Sequence, residues 1–459
     1  MEIEVINPAT GKTLDKIAAD DKASIAQKYA AARTAQGAWH SLGIAARLTI
    51  IRKFRERVAK DMEEAALLLT REVGKPITQS RNELRGLLTR LDFFLTESEK
   101  TLANRTVHTE GNVLSEQIEH EPLGVVANIS AWNYPWFVGS NVYIPALITG
   151  NAVLYKPSEY ALLTGLTMAR YLSEAGVPQD IFAVIVGRGD AGAALLEQPI
   201  DGVFFTGSVA TGRKIAEAAA EKFIKVQLEL GGKDPVYVTE DIDVKAAAEA
   251  TADGAMYNAG QSCCSVERLY VHEKIYEEFV QHFVATVKAF KIGNPEEPDT
   301  YIGPLTRGKA ALDFLLSQIA DARAKGARIL CGGEQAQTPS GFYLEPTVLV
   351  DVTHDMALMR EESFGPVIGI MKVKDDAEAQ RLMNDTEYGL TAAVYCRDEQ
   401  RARRILSAVN AGSAYINCCD RVSPRLPWSG RGISGVGLTL STYGIETFTR
   451  PKAWHIRRV

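Results

Sequence analysis

The sequence predicts an α/β protein in which a doubly wound parallel sheet is joined to a second α/β unit. Three observations indicate this fold class. Apolar runs alternate with helical segments between residues 124 and 230, and the alternation begins again after Gly231-Gly232. Such strand–helix–strand alternation is typical of mostly parallel sheets covered by helices, and it is common in nucleotide-binding domains. The chain also has 459 residues, more than one hydrophobic core usually organises, so we expect two or more domains.

The first half of the chain predicts a helical region followed by the strands and helices of one sheet. Residues 22–103 are rich in Ala and periodic, and they predict helices with a break at Pro76. Five apolar runs then predict strands at 124–129, 152–156, 181–187, 202–206 and 224–230. The segments between these runs predict helices at 136–149, 160–175, 189–198 and 209–222.

The second half predicts a further α/β unit and a tail. Its helices are expected at 243–259, 273–290 and 307–325, and its strands at 266–272 and near residues 328, 346 and 367. Segments rich in Pro and Gly predict loops at 292–304 and 332–341. The pattern of residues 447–456 predicts a final strand.

The composition, 46% hydrophobic and 24% charged, is typical of a soluble globular protein, and a net charge of −6 argues against nucleic-acid binding. Residues 122–155 lack Asp, Glu, Lys, Arg and His, but Pro135, Pro145, Gly139 and Gly150 interrupt them, so we expect buried strands and loops and no membrane helix. Six cysteines without a disulfide pattern, and no visible secretory signal, predict a reduced, cytoplasmic protein. No metal site is predicted.

Two short motifs supply a nucleophile and a base. Glu229 opens the segment Glu229-Leu-Gly-Gly-Lys233, and Cys263 follows 34 residues later (263 − 229) in Asn258-Ala-Gly-Gln-Ser-Cys263. A thiol in such a loop can be exposed and oriented, and a carboxylate can activate water. A covalent acyl mechanism that ends in hydrolysis needs both groups. The adjacent Cys264 is the alternative nucleophile.

Three further segments suit a nucleotide or an oxyanion. Lys156-Pro-Ser-Glu159 ends a predicted strand, where ligands of open α/β sheets bind. Gly207 and Ser208 open a predicted helix, whose first N–H groups could bind pyrophosphate; because Gly-x-Gly-x-x-Gly is absent, a plain tight turn is the alternative. The amide of Asn133, just past a strand, could donate to an oxyanion, with a turn-forming role as the alternative.

The glutamate and cysteine motifs, in content and spacing, resemble the two signature motifs of the aldehyde dehydrogenase superfamily, and the resemblance covers nearly the whole chain. It implies oxidation of an aldehyde to the carboxylic acid with NAD(P). Cys263 would attack the aldehyde, Asn133 and the backbone N–H of Cys263 would stabilise the oxyanion, and Glu229 would activate the hydrolytic water. The implied cofactor-binding residues are Trp132, Lys156, Glu159, Gly207, Ser208, Glu362 and Phe364. Glu159 favours NAD, since a carboxylate would repel a 2′-phosphate, while NADP remains possible.

The resemblance also implies a domain plan. Residues 1–103 and 123–230 would form the dinucleotide-binding domain and residues 231–430 the catalytic domain. Residues 104–122 and 431–459 would form an oligomerisation arm and tail, with a tail strand at 447–456 that could join a neighbour's sheet in a homodimer or homotetramer.

The substrate and two alternative functions stay open. Relatives that act on succinate semialdehyde usually carry an arginine at the position of Asn141, which puts that specificity in doubt here. Arg421 and Arg425 could supply a cation from the loop that usually lines the substrate mouth, although solvated loop arginines are the alternative. A CoA-acylating relative is a second possible function, and a non-redox thiol hydrolase or binding protein is a third.

Overall fold

The computed structural model describes residues 2–458 and arranges their strands in four sheets. Strands β1 (Glu2–Ile6) and β2 (Thr13–Ala18) form an N-terminal hairpin. Four helices then occupy the predicted helical region, namely α1 (Lys22–Ser41), α2 (Ile44–Lys60), α3 (Met62–Val73) and α4 (Ile77–Thr101). The predicted break at Pro76 is confirmed. The chain leaves α3 through Gly74, whose φ of +84° suits a residue without Cβ.

Two further strands come next, β3 (Arg105–Glu110) and β4 (Leu114–Pro122). The first large sheet then uses β5 (Val125–Ile129), β6 (Ala152–Lys156), β7 (Phe182–Val184), β8 (Gly202–Thr206) and β9 (Lys225–Glu229). The helices between these strands are α5 (Pro135–Ile148), α6 (Leu162–Ala175), α7 (Gly189–Glu197) and α8 (Val209–Ala220). Strands β5 and β6 are buried along their whole length, which explains their continuous apolar sequences.

One predicted strand is too long. The sequence predicts a strand over 181–187, but β7 ends at Val184. The reason is that Val186 is bonded outside the sheet: its N–H donates to the carboxylate of Asp20 at 2.7 Å, and its carbonyl accepts from the N–H of Asp20.

The second large sheet is built from β10 (Asp234–Val238), β11 (Val266–His272), β12 (Arg328–Cys331), β13 (Thr347–Val350), β14 (Val367–Val373), β15 (Thr391–Tyr395) and β16 (Ser413–Ile416). Its helices are α9 (Val244–Met256), α10 (Tyr276–Ala289), α11 (Lys309–Ala324), α12 (Ala357–Arg360), α13 (Asp376–Met383) and α14 (Glu399–Ser407). The tail contains β17 (Gly435–Val436), α15 (Ser441–Glu446) and β18 (Thr449–Arg457).

The strand orders identify where ligands can bind. The first large sheet has the order β17-β9-β8-β5-β6-β7, and only β17 is antiparallel to its neighbour. The chain therefore proceeds from β5 to one side and later returns to the other side. In open α/β sheets, ligands bind at the carboxyl ends of the strands where such a reversal occurs. The second large sheet has the order β12-β13-β14-β11-β10-β15-β16, with only β12 antiparallel.

The predicted tail strand pairs within its own chain. β18 lies antiparallel to β4, and β4 also pairs with β3, so a three-stranded sheet forms with β18 at one edge. Across residues 2–458, none of the helices combines the length and apolar character needed to cross a membrane.

Candidate active site

Glu229 occupies the last position of β9, where the tail fixes its backbone. Gly435 of β17 pairs with Glu229 and has a φ of +147°. A Cβ at Gly435 would lie 2.1 Å from the carbonyl oxygen of Leu228, so only glycine allows the two backbones to approach this closely. This close backbone contact fixes the position of the Glu229 side chain, which is 4% exposed.

The Glu229 carboxylate is only partly satisfied. The indole Nε1 of Trp428 donates to Oε1 at 3.2 Å, whereas Oε2 is buried and has no hydrogen-bond partner among the described residues. Burial raises the pKa of Glu229 to about 7, against the smaller lowering by the neighbouring Cys263 thiol and by the hydrogen bond from Trp428. A carboxyl group with this pKa and one free oxygen suits a general base near neutral pH.

The cysteine loop has an unusual backbone. Three successive residues adopt left-handed φ angles of 54°, 52° and 67°, at Asn258, Ala259 and Gly260. Two of them are not glycine, so the conformation is strained and the surroundings must impose it. The side-chain oxygen of Gln79 on α4 contributes by accepting from the N–H of Asn258 at 2.9 Å. The loop then presents Cys263, which is partly exposed.

The two adjacent thiols have different surroundings. The pKa of Cys263 is raised well above its usual range, first by its hydrogen bond with Cys264 and then by burial and the charge of Glu229. Its thiol is therefore protonated until a base acts. Cys264 is buried, and its Sγ donates to Oδ1 of Asp420 at 2.9 Å. Only Cys263 is in contact with Glu229.

Asn133 lies against the cysteine loop. Its side chain is 3% exposed, and Nδ2 donates to the carbonyl of Gln261, two residues before Cys263, at 3.3 Å. An amide nitrogen carries two hydrogens, so one remains for a further acceptor.

Lys156, at the carboxyl end of β6, is a buried cation without a carboxylate partner. It is 5% exposed, and its Nζ donates to the carbonyl of Pro157 at 3.2 Å; within residues 2–458 it makes no ion pair. Burial lowers its pKa, against the opposing effect of the nearby Glu159 charge. The free donors of such a lysine fit ribose hydroxyls or phosphate.

Ser208 begins α8 at the same edge of the sheet. Its hydroxyl caps the helix by accepting from the N–H of Thr211 at 3.4 Å. The preceding Gly207 leaves room for the ring of Phe205, which a Cβ would approach to 2.5 Å. The uncapped N–H groups at the start of α8 are suited to a pyrophosphate.

A tight turn from the second sheet faces this edge. The carboxylate of Glu267 accepts from the N–H groups of Ser363 and Phe364 and pairs with the buried Lys233. Phe364 has a φ of +54°, which is unfavourable for a bulky side chain unless neighbours hold it. Its ring meets Trp132 edge to face, with the centroids 5.6 Å apart.

Glu362, two residues earlier in the chain, reaches back to the first motif. Its Oε1 accepts from the N–H of Gly232 at 3.0 Å, and a Cβ at Gly231 would lie 2.3 Å from its Oε2. Burial, together with the charge of Glu267, raises the pKa of Glu362 to about 8. Glycine at position 231 thus allows this carboxylate to approach the backbone.

The partly exposed Cys263 opens onto a cavity of about 550 Å³. The other lining residues are Gln79, Asn82, Glu83, Gly86, Arg90, Tyr134, Phe137, Val138, Asn141, Asp253, Tyr257, Ser262, Cys264, Cys419, Asp420, Arg421, Val422 and Trp428. A volume of this size is within the range of small-molecule sites.

Several residues that contact the site lie outside the sequence motifs. Trp428, Glu267 and Arg90 were not among the expected site residues, because each meets the site only through tertiary packing. Arg421 lines the cavity but is exposed, and Arg425 is exposed and does not line it. Arg268 is fully buried and donates to backbone carbonyls, which fits a structural role.

Comparison with known proteins agrees with this geometry. Residues 1–454 match the model of the aldehyde dehydrogenase family. The chain is 36% identical to betaine aldehyde dehydrogenase of Cereibacter sphaeroides, across 99% of this chain and 93% of that protein. It is also 36% identical to the peroxisomal aminoaldehyde dehydrogenase 2 of Pisum sativum, across 98% and 91% of the two chains. The crystal structure of an NAD-dependent aldehyde dehydrogenase from Sinorhizobium meliloti superposes with a TM-score of 0.96 at 34% identity, covering 100% and 91% of the two chains. This chain belongs to the aldehyde dehydrogenase family, whose members oxidise aldehydes to carboxylic acids with NAD(P).

Proposed function

We propose that this chain oxidises its aldehyde through a thioester on Cys263 and that Glu229 activates the water that hydrolyses this thioester. The observation that supports the proposal best is the Glu229 carboxylate. It contacts the Cys263 thiol, its buried Oε2 is unpartnered among the described residues, and its pKa is about 7. Such a carboxylate can accept a proton near neutral pH and release it again.

The first half of the reaction forms a bond to sulfur. Glu229 takes the proton of the Cys263 thiol, and the thiolate adds to the carbonyl carbon of the aldehyde while an electron pair moves to oxygen. The second Nδ2 hydrogen of Asn133 and the backbone N–H of Cys263 stabilise that oxyanion. When bound, the oxidised nicotinamide supplies the hydride acceptor. Loss of hydride from carbon leaves the thioester on Cys263.

The second half releases the acid. Glu229, having passed the thiol proton to solvent, accepts a proton from a water whose oxygen attacks the thioester carbon. The C–S bond then breaks, the carboxylic acid leaves, and Cys263 regains a proton. A CoA-acylating reaction is not favoured, because that branch can dispense with a water-activating base, whereas Glu229 is present and its Oε2 is unpartnered among the described residues.

The cofactor is proposed to lie across the carboxyl edge of the first large sheet. Lys156 and Glu159 would hold the adenosine ribose, and the helix start at Gly207 and Ser208 the pyrophosphate. Glu362, Phe364 and Trp132 would hold the nicotinamide ribose and the ring. Glu159 favours NAD over NADP, since its carboxylate would repel a 2′-phosphate.

We also infer a domain plan and an assembly. Residues 1–103 and 123–230 would form the cofactor domain, residues 231–430 the catalytic domain, and residues 104–122 and 431–459 an arm and tail. β18 is an edge strand and leaves one row of backbone groups unpaired within the chain, which supports association into a homodimer or homotetramer. Six free cysteines support a reducing, cytoplasmic location.

The proposal is tested by measuring NADH and NADPH formation with aliphatic, aromatic, acidic and cationic aldehydes, each with NAD and with NADP. We expect turnover, with NAD preferred. Adding CoA should not raise the rate. Bound NAD without turnover of any aldehyde would instead favour a binding protein on this fold.

The two cysteines provide a matched pair for the nucleophile. Cys263→Ala should abolish oxidation while NAD binding persists, whereas Cys264→Ala should retain turnover, because Cys264 faces Asp420. The opposite pattern would assign the nucleophile to Cys264.

A further inference from the structure

Two buried cations flank one aromatic stack in the cavity. The rings of Tyr134 and Phe137 lie parallel, with centroids 5.9 Å apart and an interplanar angle of 8°. The Nζ of Lys75 lies 3.6 Å from the Tyr134 centroid, and the guanidinium of Arg90 lies 3.6 Å from the Phe137 centroid. Gly86, one turn before Arg90 on α4, makes this stack possible, since a Cβ there would lie 2.5 Å from the Phe137 ring.

The two cations differ in their counter-ions. Lys75 forms a buried ion pair with Glu83, whose second oxygen accepts from the N–H of Trp136 at 2.9 Å. Arg90 is 4% exposed, and its Nε donates to Oδ1 of Asn141 at 3.2 Å. Within residues 2–458, no carboxylate lies at ion-pair distance from Arg90. A buried charge without a counter-ion is unfavourable, so an anion in the cavity would be bound there.

The donors that face the cavity suit a carboxylate. The Nη2 of Arg90 makes no hydrogen bond with the described residues. Because Oδ1 of Asn141 accepts from Arg90, the Nδ2 of Asn141 is directed elsewhere, and it too makes no hydrogen bond with them. Both side chains line the same cavity as Cys263. A planar guanidinium beside an amide is a typical partner for a carboxylate.

The other charged groups in the cavity are already engaged or exposed. Asp253 accepts from the hydroxyl of Tyr301 at 2.5 Å, and Asp420 accepts from the thiol of Cys264 at 2.9 Å. Arg421 is exposed. Arg90 is therefore the buried lining charge that is left for a ligand.

We propose that Arg90, together with Asn141, binds the carboxylate of the substrate, so that this enzyme prefers aldehydes with a distal carboxylate, that is, oxo-carboxylic acids. This inference rests on the proposed function and specifies the substrate class of the same cavity. The cation comes from helix α4 and contacts Asn141 on helix α5.

The test compares kcat/KM for unbranched oxo-carboxylic acids of increasing length with the matched n-alkanals and with a quaternary ammonium aldehyde. We expect the oxo acids to be preferred. Arg90→Met keeps an unbranched side chain without the charge, and it should lower the preference for oxo acid over alkanal roughly 10- to 100-fold, mainly through KM. Arg90→Lys should restore part of the preference. Arg425→Met, outside the cavity, serves as the matched control.

Other outcomes would overturn the inference. One such outcome is that the wild-type enzyme prefers the cationic aldehyde. Another is that Arg421→Met loses the preference for oxo acids while Arg90→Met keeps it. If Arg90→Met does not fold, inhibition of the wild-type enzyme is measured instead. We expect dicarboxylates to inhibit competitively and matched diols not to inhibit. Equal inhibition by both would contradict the inference. Wild-type enzyme that oxidises no aldehyde would instead refute the proposed function.

Discussion

We predict that the hydrogen bond from Trp428 to Glu229 lowers the pH above which the proposed thioester is hydrolysed. Trp428→Phe removes the Nε1 donor, at 3.2 Å from Oε1, and keeps an aromatic ring in the cavity wall. A hydrogen bond to a charged group contributes about 1.5–3 kcal/mol, which corresponds to a pKa change of about 1–2. The pKa of Glu229, about 7 in the intact protein, should therefore rise in the variant.

The sign of the effect follows from the role of a base. Glu229 acts when ionised, so a higher pKa moves the acidic limb of kcat to higher pH. At pH 7 the variant should be about 5- to 50-fold slower, and the two profiles should converge at high pH. The assay is kcat against pH under conditions in which hydrolysis limits turnover.

A second tryptophan provides the control. Trp454 on the tail donates from Nε1 to Oε2 of Glu119 at 2.7 Å, and it is 42% exposed and does not line the cavity. Trp454→Phe should leave the acidic limb in place. An acidic limb in Trp428→Phe that coincides with that of the wild type would refute the role assigned to this hydrogen bond.

Two further predictions concern the cofactor turn and stability. Glu267→Gln removes the charge that holds the N–H groups of Ser363 and Phe364. The Kd for NAD, measured by fluorescence titration, should therefore rise about tenfold. An unchanged Kd would show that this turn does not contribute to NAD binding. Glu229→Gln should stabilise the fold above pH 7. Because the folded pKa of Glu229 is about 7 and the ordinary value is 4.5, the wild type loses up to about 3 kcal/mol as pH rises through this window. Urea unfolding should show this gain at pH 8 and not at pH 4; equal stabilities at pH 8 would contradict it.

The sheets and the proximity of Glu229 and Cys263 were predictable from the sequence. Strands such as β5 and β6 are buried on both faces, so their apolar runs and the helices between them indicate a parallel sheet without further information. The contact between Glu229 and Cys263 likewise follows two recognisable motifs.

Other parts of the site could not be predicted, because they depend on distant segments. Trp428 and Glu229 are 199 positions apart in the chain, and the local sequence around either residue does not indicate their contact. Arg90 looks like one more polar residue of an amphipathic helix, yet it is buried against α5. The left-handed φ of Phe364 opposes its local preference and exists because Glu267 and Lys233 hold the turn.

The most direct test of the central claim is rapid mixing of Glu229→Gln with NAD and a good aldehyde substrate, with NADH followed by absorbance. Glutamine cannot accept a proton from the Cys263 thiol or from water, so we predict that about one NADH per active site forms slowly and that turnover then nearly stops, with an acyl group retained on Cys263 by intact-protein mass. A burst at the wild-type rate with the same arrest would keep Glu229 as the base for hydrolysis and remove it from activation of the thiol. A linear steady state at the wild-type rate would contradict the assignment of Glu229 as the base that hydrolyses the thioester.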